Sequence, residues 1–246
     1  MKGLAKLTFN ELRLFGREPS TAFFSLAFPT LLLVILGSIK GFRDHVPSLG
    51  GARPIDLYVP IMIAFSIGML ALQAAPTALA TYREKGILRR MAVSPIRPIT
   101  VIEAQLLMTL LLAVGGVVAL LLIGRVAYGV PLPQQPIAFA LSFLLGSAAL
   151  LALGLALAAV MPSGRAASTI GTLMFFPLMF FSGLWIPRAV MPEMLRHIGD
   201  FTPMGAGVQA LQDAGAGNWP QPLHIAVLAA YVVVFAAIAS RTYRWQ

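Results

Sequence analysis

The sequence predicts an all-α integral membrane protein: six transmembrane helices, an N-terminal interfacial helix, a short cytoplasmic helix after the second span and short re-entrant helices on the outer face. Three observations carry this. With 58% apolar residues, 11% charged ones and a mean hydropathy of +0.83, the apolar surface exceeds what one soluble domain of 246 residues can bury. Runs free of Asp, Glu, Lys and Arg cover 19–39, 57–82, 104–124, 126–164, 166–187 and 214–240, each longer than the roughly 20 residues a helix needs to cross the hydrocarbon. These runs are continuously apolar, whereas the strands of a membrane barrel alternate with period two.

The fourth run hides a boundary, because Pro131, Pro133, Gln134, Gln135 and Pro136 form a surface loop. The spans are therefore placed at 21–39, 57–79, 104–124, 137–161, 166–186 and 223–240. Six crossings put both termini on one side. That side carries 12 cations: Lys2, Lys6, Arg13, Arg17, Arg83, Lys85, Arg89, Arg90, Arg97, Arg165, Arg241 and Arg244. The other carries 6, namely Lys40, Arg43, Arg53, Arg125, Arg188 and Arg196. The asymmetry predicts a multi-pass protein of the cell (plasma or inner) membrane with cytoplasmic termini. The net charge of +9 then matches an anionic inner leaflet, and no nucleic-acid partner is expected.

No cleavable signal peptide is expected, since the first apolar run follows an 18-residue polar lead and exceeds a signal core of about 7–15 residues. The absence of cysteine removes disulfides and thiolate chemistry, and no tandem repeat is visible. The chain reads as a single transmembrane domain, 1–246, with an interfacial helix at 1–18, spans within 21–240 and an outer helical segment at 188–222.

Between the spans, the lead mixes Leu4, Leu7, Leu12, Leu14 and Phe15 with Lys2, Lys6, Arg13 and Arg17, a pattern suited to a helix lying in the interface. An ordinary basic flank would use the same residues. The hinge TYREKGILRRMAVSPIRP, residues 81–98, predicts a short helix parallel to the membrane, closed off by Pro95 and Pro98. It either obeys the positive-inside rule alone or does more. Past the fifth span, Ser182, Gly183 and Pro187 break the helix, and Met191, Met194, Leu195 and Ile198 recur at helical spacing. Pro203 ends that element, and Met204, Val208 and Leu211 begin a second; both are expected to sink partly into the outer leaflet.

The spans hold little chemistry. Ala148, Ala152 and Ala156 give the fourth span a small-residue face. Pro29, Pro76 and Pro177 predict kinks. Gln73 and Gln105 are the strongest polar groups in the spans, and Glu103 sits at the entrance of the third. These are too few for an ion or proton relay. No segment fits GxxxxGK[ST], so the chain has no phosphate-cradling loop of its own. His45, His197 and His224 lack metal-ligand spacing, and Ser66, Ser94 and Ser182 lack a triad pattern. No catalytic residue, metal or cofactor is therefore assigned to this chain.

The runs YREKGILRRMAVSPIRP after the second span and FFSGLWIPRAVMPEMLRHIGDFTPMGAGVQALQD after the fifth, with six spans and a basic lead, resemble the ABC-2 type membrane subunits (permeases) of ATP-binding-cassette exporters, particularly the daunorubicin-resistance-like branch. The resemblance covers nearly the whole chain and implies a type-2 ABC exporter fold. It implies a half-transporter that pairs with a second permease copy and with separate cytoplasmic ATPase subunits, which would bind ATP and Mg. By the same resemblance residues 2–17 are a connecting helix. Tyr82, Arg83, Glu84, Lys85, Gly86, Arg89 and Arg90 belong to a coupling helix over 82–91 that docks on the ATPase, and 161–165 is a second, smaller contact. Arg90 and Met91 depart from the family's commoner pattern, in which Leu follows the Arg.

The resemblance also places a cavity at the axis of the permease pair, lined by the second and fifth spans. Met62, Phe65, Met69, Gln73, Phe176, Met179 and Phe180 are its expected lining, since aromatic and Met surfaces adapt to varied apolar ligands; the alternative is that they pack against neighbours or lipid. The implied function is export of a hydrophobic or amphipathic molecule such as a drug, lipid-like compound or metabolite. A polysaccharide or glycolipid exporter would want more aromatic and polar side chains on the second span. A membrane-embedded lipid enzyme would need titratable groups converging at one depth, and an ion-coupled secondary transporter would need buried charges and an internal repeat.

Overall fold

The computed structural model describes residues 2–87 and 99–242. Helix α1 (Lys2–Phe15) precedes six helices long and apolar enough to cross a membrane: α2 (Pro19–Ser38), α3 (Pro54–Glu84), α4 (Ile99–Tyr128), α5 (Pro136–Val160), α6 (Gly164–Ser182) and α9 (Pro222–Thr242). Between α6 and α9 lie α7 (Glu193–Asp200) and α8 (Pro203–Gly215). Among the described residues there are no strands, as the apolar runs predict.

The bundle is built around α3, which meets α2, α4, α5, α6 and α8. Its Ile55, Met62, Ile63, Leu70 and Leu72 are fully buried, against Leu120 of α4, Phe143 and Leu150 of α5, Phe175 and Met179 of α6 and Met204, Val208 and Leu211 of α8. Helix α9 packs on the outside, along α5 and α8. Helix α1 packs on α4 through Leu4, Leu7, Leu12 and Phe15 together with buried Thr8 and Glu11. Phe9 and Leu14 stay exposed, and Arg13 lies 4.4 Å from the centre of the Phe9 ring.

Two of the three expected proline kinks take a specific form. One residue before Pro29 and one before Pro76 the chain widens into a π turn, Phe23–Ala27 and Leu70–Ala74, in which Phe28 N–H bonds Phe23 O and Ala75 N–H bonds Leu70 O. Proline has no N–H for the carbonyl four residues back, so Ser25 and Leu72 lose their usual partners. The Ser66 hydroxyl of α3 donates to Ser25 O at 2.6 Å. Leu72 O is instead met by the backbone of α6 at Gly171, and Ala71 O by α5 at Gly154; a Cβ at either glycine would fall on the carbonyl. Glycine Cα–H groups can face such oxygens directly, and small residues let membrane helices approach this closely.

Three expectations on the polar segments change. The second-span helix does not stop near residue 79 but runs to Glu84, so Tyr82, Arg83 and Glu84 form its last turn rather than opening a separate helix. It ends at Lys85 and Gly86, where Gly86 adopts φ +65°, a conformation glycine takes without a Cβ clash. Arg89 and Arg90, with the rest of 88–98, lie outside the described residues. Pro203 starts a helix instead of ending one: Thr202 caps α8, its hydroxyl accepting Gly205 N–H at 3.1 Å, and proline suits the first turn. Finally, α8 does not lie on the surface. Met204, Ala206, Val208, Ala210, Leu211 and Ala214 are buried, because its small residues let it enter the bundle between α3, α5, α6 and α9. By contrast α7 keeps Met194 74% exposed.

Candidate functional site

Six crossings return the chain to the end from which it started, and at this termini-bearing end the last turn of α3 is tied in three directions. The Tyr82 hydroxyl donates to the Glu11 carboxylate of α1, 2.9 Å from Oε2. Burial pushes the Glu11 carboxyl above its usual range, and the Tyr82 bond opposes this more weakly. The Arg83 guanidinium donates to Ala159 O at 2.8 Å and to Met161 O, where α5 ends. The Glu84 carboxylate accepts Gly164 N–H at 3.0 Å, where α6 begins.

Adjacent residues of opposite sign thus read the two helix ends in the favourable sense, a cation at a C-terminus and an anion at an N-terminus. Ser163 caps α6 from the same turn, its hydroxyl accepting Ala166 N–H at 3.2 Å, and Gly164 leaves room for Thr81 of α3, whose hydroxyl a Cβ would strike. The described part of the segment singled out at 82–91 and the second segment, 161–165, are therefore one joined unit. Lys85 and Gly86 follow directly, with Lys85 exposed.

Between α2, α3 and α6 lies an apolar cleft of about 520 Å³. Four of the seven residues expected to line a cavity face it: Phe65, Met69, Gln73 and Phe176. Rings run through it in sequence, with centroids 5.5 Å apart for Phe28 and Phe65, 5.0 Å for Phe65 and Phe175, 5.8 Å for Phe175 and Phe176 and 6.3 Å for Phe176 and Trp185. Met62 and Met179 are instead fully buried in the core, and Phe180 packs edge-on against Phe181.

Two hydrogen bonds tie α3 to the α6 side of the cleft. Gln73 Nε2 donates to the Thr172 hydroxyl at 2.8 Å, and the Tyr58 hydroxyl donates to Leu184 O at 2.9 Å. The open flank carries Phe24, Phe176 and Trp185, each roughly half exposed. Thr172, Tyr58 and Trp185 are functional candidates that sequence reasoning missed; Thr172 and Trp185 lie far along the chain from Gln73 and Phe65, whereas Tyr58 shares α3 with both and its helical spacing from Phe65 could have found it.

At the far end the sequence gives no hint of a polar cluster that the fold assembles. Asp200 of α7 pairs with Arg188 and, at 3.2 Å, with His224 at the start of α9; only 3% of the His224 side chain is exposed. Nearby, Arg53 grips Asp56 through two bonds of 2.9 and 2.7 Å and donates to Tyr128 O and Gly129 O, fixing the start of α3 to the end of α4. Among the described residues no group of three or more His, Cys, Asp and Glu could hold a metal.

Comparison with known proteins bears on this arrangement. The ABC-2 type transporter family profile matches residues 4–214. The chain is 25% identical over 193 residues to a Bacillus subtilis (strain 168) protein provisionally named transport permease YvfS, 77% of each chain being covered. It is 28% identical over 183 residues to the inner membrane transport permease YhhJ of Escherichia coli (strain K12), which covers 72% of this chain and 49% of YhhJ, so it spans about half of that relative.

Proposed function

Because the chain belongs to the ABC-2 type transporter family, we propose that it is the membrane-spanning permease of an ATP-driven exporter. In this reading it moves a hydrophobic or amphipathic molecule from the cytoplasm or inner leaflet. It works as half of a permease pair, homodimeric or heterodimeric, with ATP and Mg bound by separate cytoplasmic ATPase subunits. The termini-bearing end faces the cytoplasm, as the cation count implies.

The observation that carries the reading is the clamp at the end of α3. A force applied at 85–86 by a docked ATPase cannot move α3 alone, since Arg83 and Glu84 bind the end of α5 and the start of α6 and Tyr82 binds α1. A soluble motor needs such a stiff contact to shift several spans together, and this one joins the α6 wall of the cleft to the α3 wall. Arg89 and Arg90 follow in the sequence, and no catalytic chemistry is needed from the chain itself.

The test is reconstitution of the purified chain in proteoliposomes with and without the ATPase that co-purifies with it, using a panel of labelled amphiphilic drugs and lipids. Nucleotide-dependent efflux is expected only with the ATPase. Movement of the same compounds by the chain alone, without nucleotide, overturns the proposal.

A further inference from the structure

The aromatic cleft differs from its neighbours in charge. The cavity of about 340 Å³ at the termini-bearing end is bordered by Arg17, Glu18 and Lys85, and the one of about 320 Å³ at the far end by Arg188 and Arg196. Among the described residues that line the cleft there is no Asp, Glu, Lys, Arg or His. Its polar side chains are the Tyr58 and Thr172 hydroxyls and the Gln73 carboxamide. Gln73 also borders the termini-bearing cavity, which lies against α2, α3 and α6 as the cleft does.

The hydrogen bonds decide what these groups can offer. The Thr172 hydroxyl donates its proton to Ser168 O at 2.9 Å, so toward Gln73 it acts as an acceptor. This fixes the carboxamide with Nε2 facing Thr172, at 2.8 Å, and Oε1 turned the other way. The Tyr58 hydroxyl gives its proton to Leu184 O. Neither hydroxyl has a proton left, and Gln73 Oε1 has no hydrogen-bond partner among the described residues. An amide oxygen among rings and aliphatic side chains gains most from a donor brought by a ligand.

We infer that Gln73 determines the specificity of the cleft, and that the exported molecule is an amphiphile whose polar part is uncharged and carries a hydrogen-bond donor, such as an amide N–H or an alcohol. The inference rests on the export reading and deepens it by naming the substrate class. Gln73 Oε1 accepts the donor, and the second N–H of Nε2 serves an acceptor on the same molecule. The apolar body lies against Phe65, Phe175 and Phe176, in a cleft whose 520 Å³ falls within the roughly 300–1,000 Å³ of small-molecule sites. A charged head would leave water for a lining without a counter-ion, which costs more than ring faces return to a cation. In the export reading a second permease copy stands at the open flank, by Phe24, Phe176 and Trp185, and completes the wall at the axis of the pair. A copy of this same chain brings the same uncharged lining, so the preference holds for the joint cavity.

The test uses the full chain in phosphatidylcholine nanodiscs without nucleotide, with Trp219→Phe and Trp245→Phe so that emission reports Trp185 at the rim of the cleft. The probes are N-decylacetamide, N-decyl-N-methylacetamide, which lacks the N–H, and decylammonium, each corrected for its partition into protein-free nanodiscs. N-decylacetamide is expected to bind about five-fold more tightly than its methylated form, the worth of roughly one net hydrogen bond. Decylammonium is expected to bind more weakly than either amide.

Gln73→Leu is expected to bind the two amides equally while the methylated one binds as it does to wild type, which also shows that the variant is folded. Gln73→Glu supplies the missing counter-charge and is expected to bind decylammonium more tightly than wild type does. Equal affinities of wild type for the two amides, a difference that survives Gln73→Leu, decylammonium bound by wild type as tightly as N-decylacetamide, or no gain for decylammonium in Gln73→Glu overturns the inference. Neither nucleotide nor efflux enters this readout, so its failure leaves the exporter reading to the reconstitution experiment.

Discussion

Helices α3 and α9 are both long, apolar and able to cross a membrane, yet 78% of the apolar stretch of α3 is buried inside the protein and only 22% of that of α9. The two differ in what their residues let neighbours do. Helix α9 offers Val233, Val234 and Ile238 to the surroundings and packs along one side. Helix α3 widens at Leu70–Ala74, exposes carbonyls that Gly154 and Gly171 approach, and places Ser66, Gln73, Tyr82, Arg83 and Glu84 at successive contacts with other helices. Hydropathy identifies a span; prolines, lone polar groups and facing glycines identify the span around which the others are arranged.

That contrast can be broken most severely at the glycines. Gly154→Leu drives a side chain into Ala71 O and is expected to destabilise the protein by about 3 kcal/mol or more, at the upper end for overpacking, seen as a large fall in the thermal midpoint in detergent. Arg83→Ala removes two charge-assisted bonds to helix-end carbonyls and is expected to cost about 2 kcal/mol, read as a smaller fall in the same midpoint.

Glu11→Gln has a smaller effect that depends on pH. Burial raises the Glu11 carboxyl above 4.5, so the folded state holds the proton more tightly than the unfolded chain does. Its stabilising contribution is therefore present below 4.5 and is lost as pH rises through the folded value. The wild-type midpoint should fall more steeply between pH 4.5 and neutrality than that of Glu11→Gln, which keeps an acceptor for Tyr82. Least of all, Val233→Ala on the exposed face of α9 is expected to stay within about 0.5 kcal/mol of wild type; a loss as large as that of Gly154→Leu would erase the distinction between the two helices.

The six spans were legible because a membrane crossing needs a local run of apolar residues, and each run is visible on its own. What escaped depends on partners far along the chain. Tyr82, Arg83 and Glu84 read as the opening of a separate surface helix, since nothing nearby shows that Glu11, Ala159 and Gly164 receive them. The Met204, Val208 and Leu211 pattern read as a surface helix, because a stripe of larger residues looks the same whether the Ala and Gly between them face lipid or other helices. Asp200, Arg188 and His224 lie in three segments, so their meeting has no periodic signature. In the cleft, Phe65, Met69, Gln73 and Phe176 were identified from the types of residue that accept varied apolar ligands, but the same types also fill cores, as Met62 and Met179 do.

The central claim, that the end of α3 transmits the work of a separate ATPase through its clamp on α5 and α6, is tested most directly by the Arg83→Ala, Glu84→Ala double variant. Nucleotide-driven efflux and ATP hydrolysis would be measured together in proteoliposomes containing the co-purifying ATPase. The account predicts that hydrolysis persists while efflux falls about ten-fold or more, within the range of typical coupling free energies. Efflux at the wild-type rate from a correctly inserted double variant would contradict it.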